Sequence, residues 1–199
     1  MPDQLDSGVR VGPDGLARCA WAAGPPEYLA YHDQEWGRPV RGERELFERI
    51  TLEAFQSGLS WLTILRKREG FRAAFAGFDP QVVAGFGPVD RARLLADPAI
   101  VRNARKIDAA VTNAAAVLTL RACGGLTELV WRHAPTRHTR PAQLGDVPAT
   151  TPESVALAKA LRARGFVFVG PTTMYAAMQA CGLVDDHVVG CHRSGGSGA

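Results

Sequence analysis

The chain has 199 residues, of which 46% are hydrophobic and 22% are charged, and its formal net charge is +3. This hydrophobic content is enough to offset the ordering entropy of a folded domain, so disorder over most of the chain is excluded. At this length a core needs no disulfide scaffold, and the absence of both a basic, apolar leader and a run of about 18 apolar residues argues against a secreted or membrane-spanning protein.

The composition of the two ends differs from that of the middle. Residues 1–17 are rich in Gly, Asp and Pro without periodicity, and residues 193–199 are rich in Gly and Ser. Both ends are predicted to be disordered. We expect a single cytoplasmic helical domain over 18–192, whose mild positive charge is compatible with a nucleic-acid partner without requiring one.

Apolar residues recur at helical spacing through most of this domain. Ser60 is placed as an N-cap, and Thr151 with Pro152 supplies a cap and a first-turn proline. Gly124 and Gly165 are expected to end helices, since glycine adopts a left-handed conformation without steric cost. The predicted helices lie within 42–58, 61–69, 102–123 and 152–164.

One run is strand-like, the four residues 166–169 between Gly165 and Gly170. It is too short to build a sheet, so the sequence predicts an all-α fold. The two glycines would direct backbone N–H groups and the start of the next helix outward, where they favour an anion such as a DNA phosphate. The alternative is an ordinary helical hairpin with a slightly long turn.

Each end of the domain carries a pair of zinc-type ligands, Cys19 with His32 and His187 with Cys191. Two thiolates and two imidazoles complete a tetrahedron around Zn²⁺ and leave no position open for water, so such a site would be structural. The alternative is that these side chains are packed core residues, which is the more common situation for a single Cys or His.

Glu53 lies within an apolar helical run, and several aromatic residues surround it in the sequence. A carboxylate in an aromatic pocket is one interpretation. A solvent-facing Glu on an amphipathic helix, with aromatic rings that simply pack in the core, is the other. The aromatic residues concerned are Trp21, Tyr28, Tyr31, Trp36 and Trp61.

Long motifs resemble the DNA-3-methyladenine glycosylase I family. The resemblance extends from Arg18 to Cys191 and implies an all-α helix-hairpin-helix glycosylase fold. The matching segments are RCAW at 18–21, YLAYHDQEWGRPV at 28–40, LFERITLEAFQSGLSWLTILRKRE at 46–69, RNARKI at 102–107 and RGFVFVGPTTMYAAMQACGLVDDHVVGC at 164–191.

The resemblance implies a role for each position in the base pocket. Glu53 and Tyr31 would hydrogen-bond the extruded base, and Trp61 would stack on it. Three further aromatic residues, Tyr28, Trp21 and Trp36, would shape the pocket.

Roles in DNA and metal binding follow from the resemblance in the same way. Leu59, after Gly58, is the candidate for filling the gap left in the duplex, and the hairpin residues Gly165, Gly170 and Thr172 would grip the DNA backbone. One structural zinc ion per chain would be held by Cys19, His32, His187 and Cys191.

Some positions leave the assignment open or depart from the family pattern. Ala20 and Ala54 stand where glycine is expected, and Pro171 lacks an N–H that could bind phosphate. His192 competes with His187 as a metal ligand, although His187 is preferred. For the adjacent acids 185 and 186, support of the metal site is favoured.

The resemblance therefore implies base-excision repair by hydrolytic release of 3-methyladenine from double-stranded alkylated DNA, by a monomer without a protein partner. Strand cleavage is not expected, because none of the three lysines lies in the hairpin or beside Glu53 in the sequence. The competing hypotheses are a non-catalytic DNA-binding or damage-sensing module and a zinc-stapled interaction module that does not bind DNA.

Overall fold

The computed structural model describes residues 8–193, and helices dominate this part of the chain. The helices are α1 (Pro26–Gln34), α2 (Glu43–Gln56), α3 (Trp61–Ala74), α4 (Pro80–Val83), α5 (Pro88–Ala96), α6 (Ala104–Leu120), α7 (Gly125–Trp131), α8 (Pro152–Ala163) and α9 (Pro171–Ala180). Short 3-10 turns occur at Ala20–Ala22, Ala76–Phe78, Arg121–Cys123 and Leu144–Asp146.

The all-α expectation needs one correction, because two short strands precede the helices. β1 (Val9–Val11) and β2 (Ala17–Cys19) form an antiparallel pair in which Val9 lies opposite Cys19. The run 166–169, by contrast, is not a strand but part of the loop between α8 and α9.

The prediction of disorder at the N-terminus is wrong for residues 8–17. The Arg18 guanidinium contacts Asp14 within the hairpin at 2.7 Å and Asp33 of α1 at 2.8 Å, so the hairpin is attached to the helical body. These charge-assisted contacts join segments that are distant in sequence, and composition does not reveal them. Residues 1–7 and 194–199, which hold the rest of the two predicted disordered ends, lie outside the described residues.

The helix signals in the sequence are confirmed where caps form. Ser60 Oγ accepts a hydrogen bond from Thr63 N, and Thr151 Oγ1 accepts one from Ser154 N, both at 3.2 Å. Gly124 has φ +92° and ends the 3-10 turn that follows α6. Local capping chemistry therefore fixes these boundaries, as expected.

Helix α2 lies at the centre of the fold. Nearly every residue from Leu46 to Phe55 is buried, and α2 packs against α3, α6, α7 and α9. A helix that is buried on all sides has no solvent-facing stripe, so the polar residues in its second half lie inside the protein. This arrangement places Glu53 within the core.

The loop between α8 and α9 is fixed to α6 by one side chain. Asn113, buried in α6, donates to Val167 O at 3.1 Å and accepts from Val167 N at 2.8 Å. Phe166 and Val169 are buried on either side, whereas Val167 and Phe168 are exposed. The loop is therefore anchored at its middle and presents its tip to solvent.

No single helix in the described part of the chain is long and apolar enough to cross a membrane. One pair of consecutive helical segments, 104–123 and 125–131, has the required length and composition, but the two segments are bent by 87° relative to each other.

We predict that Asn113→Ala lowers the free energy of unfolding by about 1–3 kcal/mol, because the Val167 peptide loses both side-chain partners. Chemical denaturation measures this change. Thr112→Ala is the matched control, since within residues 8–193 the Thr112 hydroxyl bonds to Asp108 O of the same helix and to no other group. Equal effects of the two substitutions would show that Asn113 does not anchor the loop.

Candidate active site

A cavity of about 340 Å³ opens beside the buried half of α2. Its wall draws on segments from both ends of the domain as well as from the central helix. The lining residues are Trp21, Tyr31, Trp36, Glu53, Gln56, Trp61, Leu144, Val147, Ala176, Gln179 and Asp186. Two of these are carboxylates and none is Lys or Arg, so the described wall suits a planar group that carries positive charge.

Glu53 is the most perturbed acid of the cavity. Its side chain is 5% exposed, and burial raises its pKa from 4.5 to about 8. Within residues 8–193 no side chain donates a hydrogen bond to this carboxyl group, and no basic group lies within ion-pairing distance. The interpretation of Glu53 as a surface residue is therefore wrong, and a cation entering the cavity would meet a carboxyl group that has no hydrogen-bond or ion-pair partner among these residues and is ionised above about pH 8.

The nearest compensating charge, Arg49, is already engaged. Arg49 lies one turn before Glu53 on α2 and donates to Glu35 Oε2 at 2.7 Å, and Arg68 binds the same carboxylate at 2.7 Å. Arg49 lowers the pKa of Glu53, but this effect is smaller than that of burial. Glu35 therefore binds Arg49 through Nη2, whereas Arg49 Nη1 is buried without a partner in the described part of the chain, and Arg49 offsets only part of the effect of burial on Glu53.

Aromatic rings form the rest of the wall around Glu53. The rings of Tyr31 and Trp61 are 5.4 Å apart, and those of Trp21 and Trp36 are 5.0 Å apart. Burial, and then the nearby Glu53 charge, raise the pKa of Tyr31 well above its usual value, so its hydroxyl remains a donor. Trp61 Nε1 is buried and has no acceptor in the described part of the chain.

Two predicted substrate-binding residues are not part of the cavity wall. The hydroxyl of Tyr28 accepts a hydrogen bond from Leu62 N at 3.1 Å, and its ring packs edge-on against Trp21 at 6.0 Å. Leu59 is 40% exposed in the turn that joins α2 and α3. Tyr28 therefore supports the start of α3, and Leu59 lies at the surface near Trp61.

Asp186 lines the cavity, which corrects its interpretation as a support for the metal site. Tyr175 Oη and Gln179 Nε2 both donate to Asp186 Oδ2 at 2.7 Å, and His138 Nε2 lies 3.0 Å from Oδ1. Asp185 does fit the original interpretation, since its Oδ1 lies 2.7 Å from His187 Nδ1. Two adjacent acids therefore face different sites.

Three of the four proposed metal ligands converge behind the cavity. Ligand atoms of Cys19, His32 and Cys191 all lie within 4.8 Å of one another, and all three residues are buried. Cys191 Sγ lies 3.4 Å from His32 Nε2, while His32 Nδ1 lies 2.8 Å from Asp33. This set offers two sulfurs and one ring nitrogen, with the other ring nitrogen fixed by a carboxylate.

His187 lies beside these three residues, but its ring nitrogens are not within 4.8 Å of all three of their ligand atoms. Its ring centroid is 5.0 Å from that of His32, and its Nε2 is buried without a partner. His192, the competing candidate, lies 3.0 Å from Asp33 Oδ1 through Nε2. The histidine that retains a free buried nitrogen is therefore His187.

The predicted DNA-gripping residues lie in the loop before α9 and in its first turn, and α9 also contributes two residues to the cavity wall. Gly165 has φ +89°, in the left-handed region that glycine adopts most readily, and Gly170 is the N-cap of α9. Thr172 is exposed in the first turn. Helix α9 therefore connects the loop between α8 and α9 to the cavity wall.

Residues 21–194 match the sequence model of the methyladenine glycosylase family. DNA-3-methyladenine glycosylase 1 of Escherichia coli K12 is 48% identical over 88% of this chain and 96% of its own. A DNA-3-methyladenine glycosylase of Haemophilus influenzae is 44% identical over 87% of this chain and 96% of its own.

Solved structures are similar over the same region. A crystal structure of 3-methyladenine DNA glycosylase I has a TM-score of 0.85 at 48% identity, covering 88% of this chain and 98% of that one. Another, in complex with 3-methyladenine, has a TM-score of 0.83 at 34% identity, covering 88% of this chain and 96% of that one.

The raised pKa of Glu53 predicts a stability change with a definite sign. Between its ordinary value of 4.5 and about 8 the folded state keeps a proton that the unfolded state releases. The free energy of unfolding therefore falls as pH rises through this window, by at most about 1.4 kcal/mol per pH unit. Glu53→Gln removes the titrating group and should therefore abolish this fall in the free energy of unfolding.

Denaturation of wild type and Glu53→Gln at several pH values tests this expectation. The variant should gain stability relative to wild type as pH rises from about 5 to 8. Glu69→Gln, at an exposed carboxyl, is the control and should follow wild type. A constant difference between wild type and Glu53→Gln would contradict the prediction.

Proposed function

The chain belongs to the methyladenine glycosylase family, and from this premise we propose that it acts in base-excision repair, hydrolysing the N-glycosidic bond that joins 3-methyladenine to alkylated DNA. The observation that carries the proposal is the unpartnered, buried carboxyl of Glu53 in an aromatic cavity without a Lys or Arg in its described wall. A cavity of this kind selects a cationic base.

The chemistry of the lesion explains why such a cavity suffices. An adenine alkylated at N3 carries positive charge while it is attached to deoxyribose, so the glycosidic bond is already weakened and the base leaves as a neutral molecule. Extruding a damaged base from the stack costs only a few kcal/mol. The enzyme therefore gains most by capturing the extruded cation and holding it in place.

Glu53, Tyr31 and Trp61 are assigned to this capture. The Glu53 carboxylate attracts the cation and accepts hydrogen bonds from the amino edge of the base. The face of Trp61 stabilises the same charge by about 0.5–2 kcal/mol, and Tyr31 supplies a hydroxyl hydrogen bond. Trp21 and Trp36 close the aromatic wall, and Tyr28 acts indirectly through the start of α3.

We propose that duplex DNA binds to the surface around the mouth of the cavity. The loop between α8 and α9 is the proposed helix-hairpin-helix element, where Gly165, Gly170 and Thr172 contact phosphates through backbone N–H and hydroxyl groups. Leu59 is proposed to fill the space that the extruded base leaves. We assign no protein partner, and propose that the protein acts as a monomer.

A structural zinc ion is proposed at Cys19, His32, His187 and Cys191. The donor set fits, because His32 and His187 each have Nδ1 beside a carboxylate and His187 Nε2 is buried without a partner. When bound, the ion would supply a cross-link between the two ends of the domain rather than reactivity. Its ligands adjoin cavity residues in the chain, with His32 next to Tyr31 and His187 next to Asp186.

Release of free base from methylated duplex DNA tests the function. We expect 3-methyladenine to be released well ahead of 7-methylguanine, which presents a carbonyl to the Glu53 carboxylate. An unpaired buried acceptor costs about 1–3 kcal/mol, which corresponds to roughly 5- to 150-fold in rate. Glu53→Gln should lose more activity than one neutral hydrogen bond, about 1 kcal/mol, would explain.

The matched control is Glu48→Gln, which makes the same change on the same helix at a carboxylate paired with Arg72. It should release base at the wild-type rate. Lesion-dependent DNA binding without base release would instead identify a non-catalytic damage sensor. If the wild-type protein showed no salt-dependent binding to duplex DNA, an interaction module that does not bind DNA would be favoured.

The zinc proposal predicts that Cys191→Ser lowers both bound metal and melting temperature, with residual activity in proportion to the folded fraction. Elemental analysis and thermal melting measure the two quantities. Cys181→Ser, at a buried thiol outside the cluster, should keep its metal. Near one equivalent of zinc in a Cys19→Ser, Cys191→Ser double variant with unchanged melting would exclude the site.

A monofunctional enzyme is proposed, without lyase activity. A lyase needs a nucleophilic amine near the sugar, and the described cavity wall contains no lysine. Lys106 and Lys67 each donate to backbone carbonyls. Borohydride should therefore trap no covalent protein–DNA adduct, and an adduct at a lysine would contradict the proposal.

A further inference from the structure

The turn between α2 and α3 presents an exposed apolar side chain next to the base cavity. Gly58 has φ +81°, a conformation that disfavours other residues although a Cβ there would meet no atom within 4 Å. Leu59 N donates to Gln56 O at 2.6 Å, which closes the turn. Trp61, two residues further on, lines the cavity, so the turn that carries Leu59 lies beside the proposed base site.

The α3 side of this turn is fixed by two hydrogen bonds. Ser60 caps α3 through Thr63 N, and the hydroxyl of Tyr28 accepts from Leu62 N. These contacts set the direction in which α3 leaves the turn. They do not bind the carbonyls at the end of α2, which an α-helix leaves without intrahelical partners.

Lys106 supplies the missing contacts from the first turn of α6. Its ammonium donates to Phe55 O at 2.9 Å and to Ser57 O at 2.6 Å, and the residue is 8% exposed. The positive charge also lies at the negative end of the α2 dipole. A single side chain therefore bonds to the backbone on either side of Gln56, immediately before Gly58.

The chemistry of Lys106 is unusual for a residue with only a packing role. A buried ammonium is costly unless it is paired, and no carboxylate in residues 8–193 lies within ion-pairing distance of Lys106. Its ammonium instead donates to two carbonyl oxygens of the turn region. Retaining such a charge makes sense where the turn must resist displacement when it meets another molecule.

We propose that Lys106 is a positioning residue for excision from duplex DNA, holding the 57–60 turn in the conformation that directs Leu59 into the stack. This inference rests on the proposed function. Lys106 acts through the turn and does not touch the base, so its effect depends on the presence of a duplex that the turn must enter.

Lys106→Met tests the proposal because it keeps the length and apolar stem of the side chain but removes the ammonium. We expect single-turnover release of 3-methyladenine from duplex DNA to slow by about tenfold or more. The affinity for free 3-methyladenine should stay within about twofold, because the base alone does not load the turn. Lys106→Arg, which keeps charge and donors, should recover most of the lost rate.

Lys67→Met is the matched control, since Lys67 also donates to a backbone carbonyl, Pro98 O, but away from the turn. It should excise at the wild-type rate. A double-mutant cycle with Leu59→Ala adds a second readout: the effects of Lys106→Met and Leu59→Ala should be strongly non-additive if Lys106 acts through the turn.

Several outcomes would overturn the inference. One is an equal excision rate for Lys106→Met and Lys67→Met. Another is a loss of free 3-methyladenine affinity in Lys106→Met as large as its loss of excision rate on duplex DNA. The third is additivity of the effects of Lys106→Met and Leu59→Ala on the excision rate. If Lys106→Met melts below the assay temperature, the same measurements on Lys106→Gln decide the question. Failure of the wild type to release 3-methyladenine would instead contradict the proposed function, so the two failures are distinguishable.

Discussion

The structure depends on one unfavourable arrangement, the burial of the Glu53 carboxyl without a partner. Helix α2 carries this group into the core because its second half is buried on every side. Arg49, one turn earlier on α2, pairs with Glu35 rather than with Glu53. The protein thus keeps a site that favours an incoming positive charge, at a cost to its own stability above the ordinary pKa of Glu.

The surroundings of Glu53 bring the two ends of the domain together. Trp21 follows the β-hairpin, Tyr31 lies on α1, and Asp186 comes after α9, yet all three line one cavity. The buried Cys and His residues behind the cavity come from the same segments. A cross-link at that cluster would therefore act on the cavity wall directly, which gives the proposed zinc ion a role in shaping the pocket.

The features that sequence predicts well are those with local causes. Ser60 and Thr151 cap helices through hydrogen bonds within three residues, and Gly124 ends a helical segment by its own conformation. The features that sequence missed depend on distant partners. The β-hairpin is held by Arg18 through Asp33, and Asp186 is drawn to the cavity by Tyr175, Gln179 and His138 although its chain neighbour is the proposed ligand His187.

The most direct test of the role of Glu53 is the pH dependence of kcat/KM for release of 3-methyladenine, measured on wild type and Glu53→Gln. Because the pKa of Glu53 is raised to about 8 in the free protein, the carboxylate proposed to capture the cation forms only as pH rises. Wild-type kcat/KM is expected to increase with pH up to about 8 and then level off, while the variant shows a low, flat profile over the same range. A flat wild-type profile, or the same rise in Glu53→Gln, would contradict it.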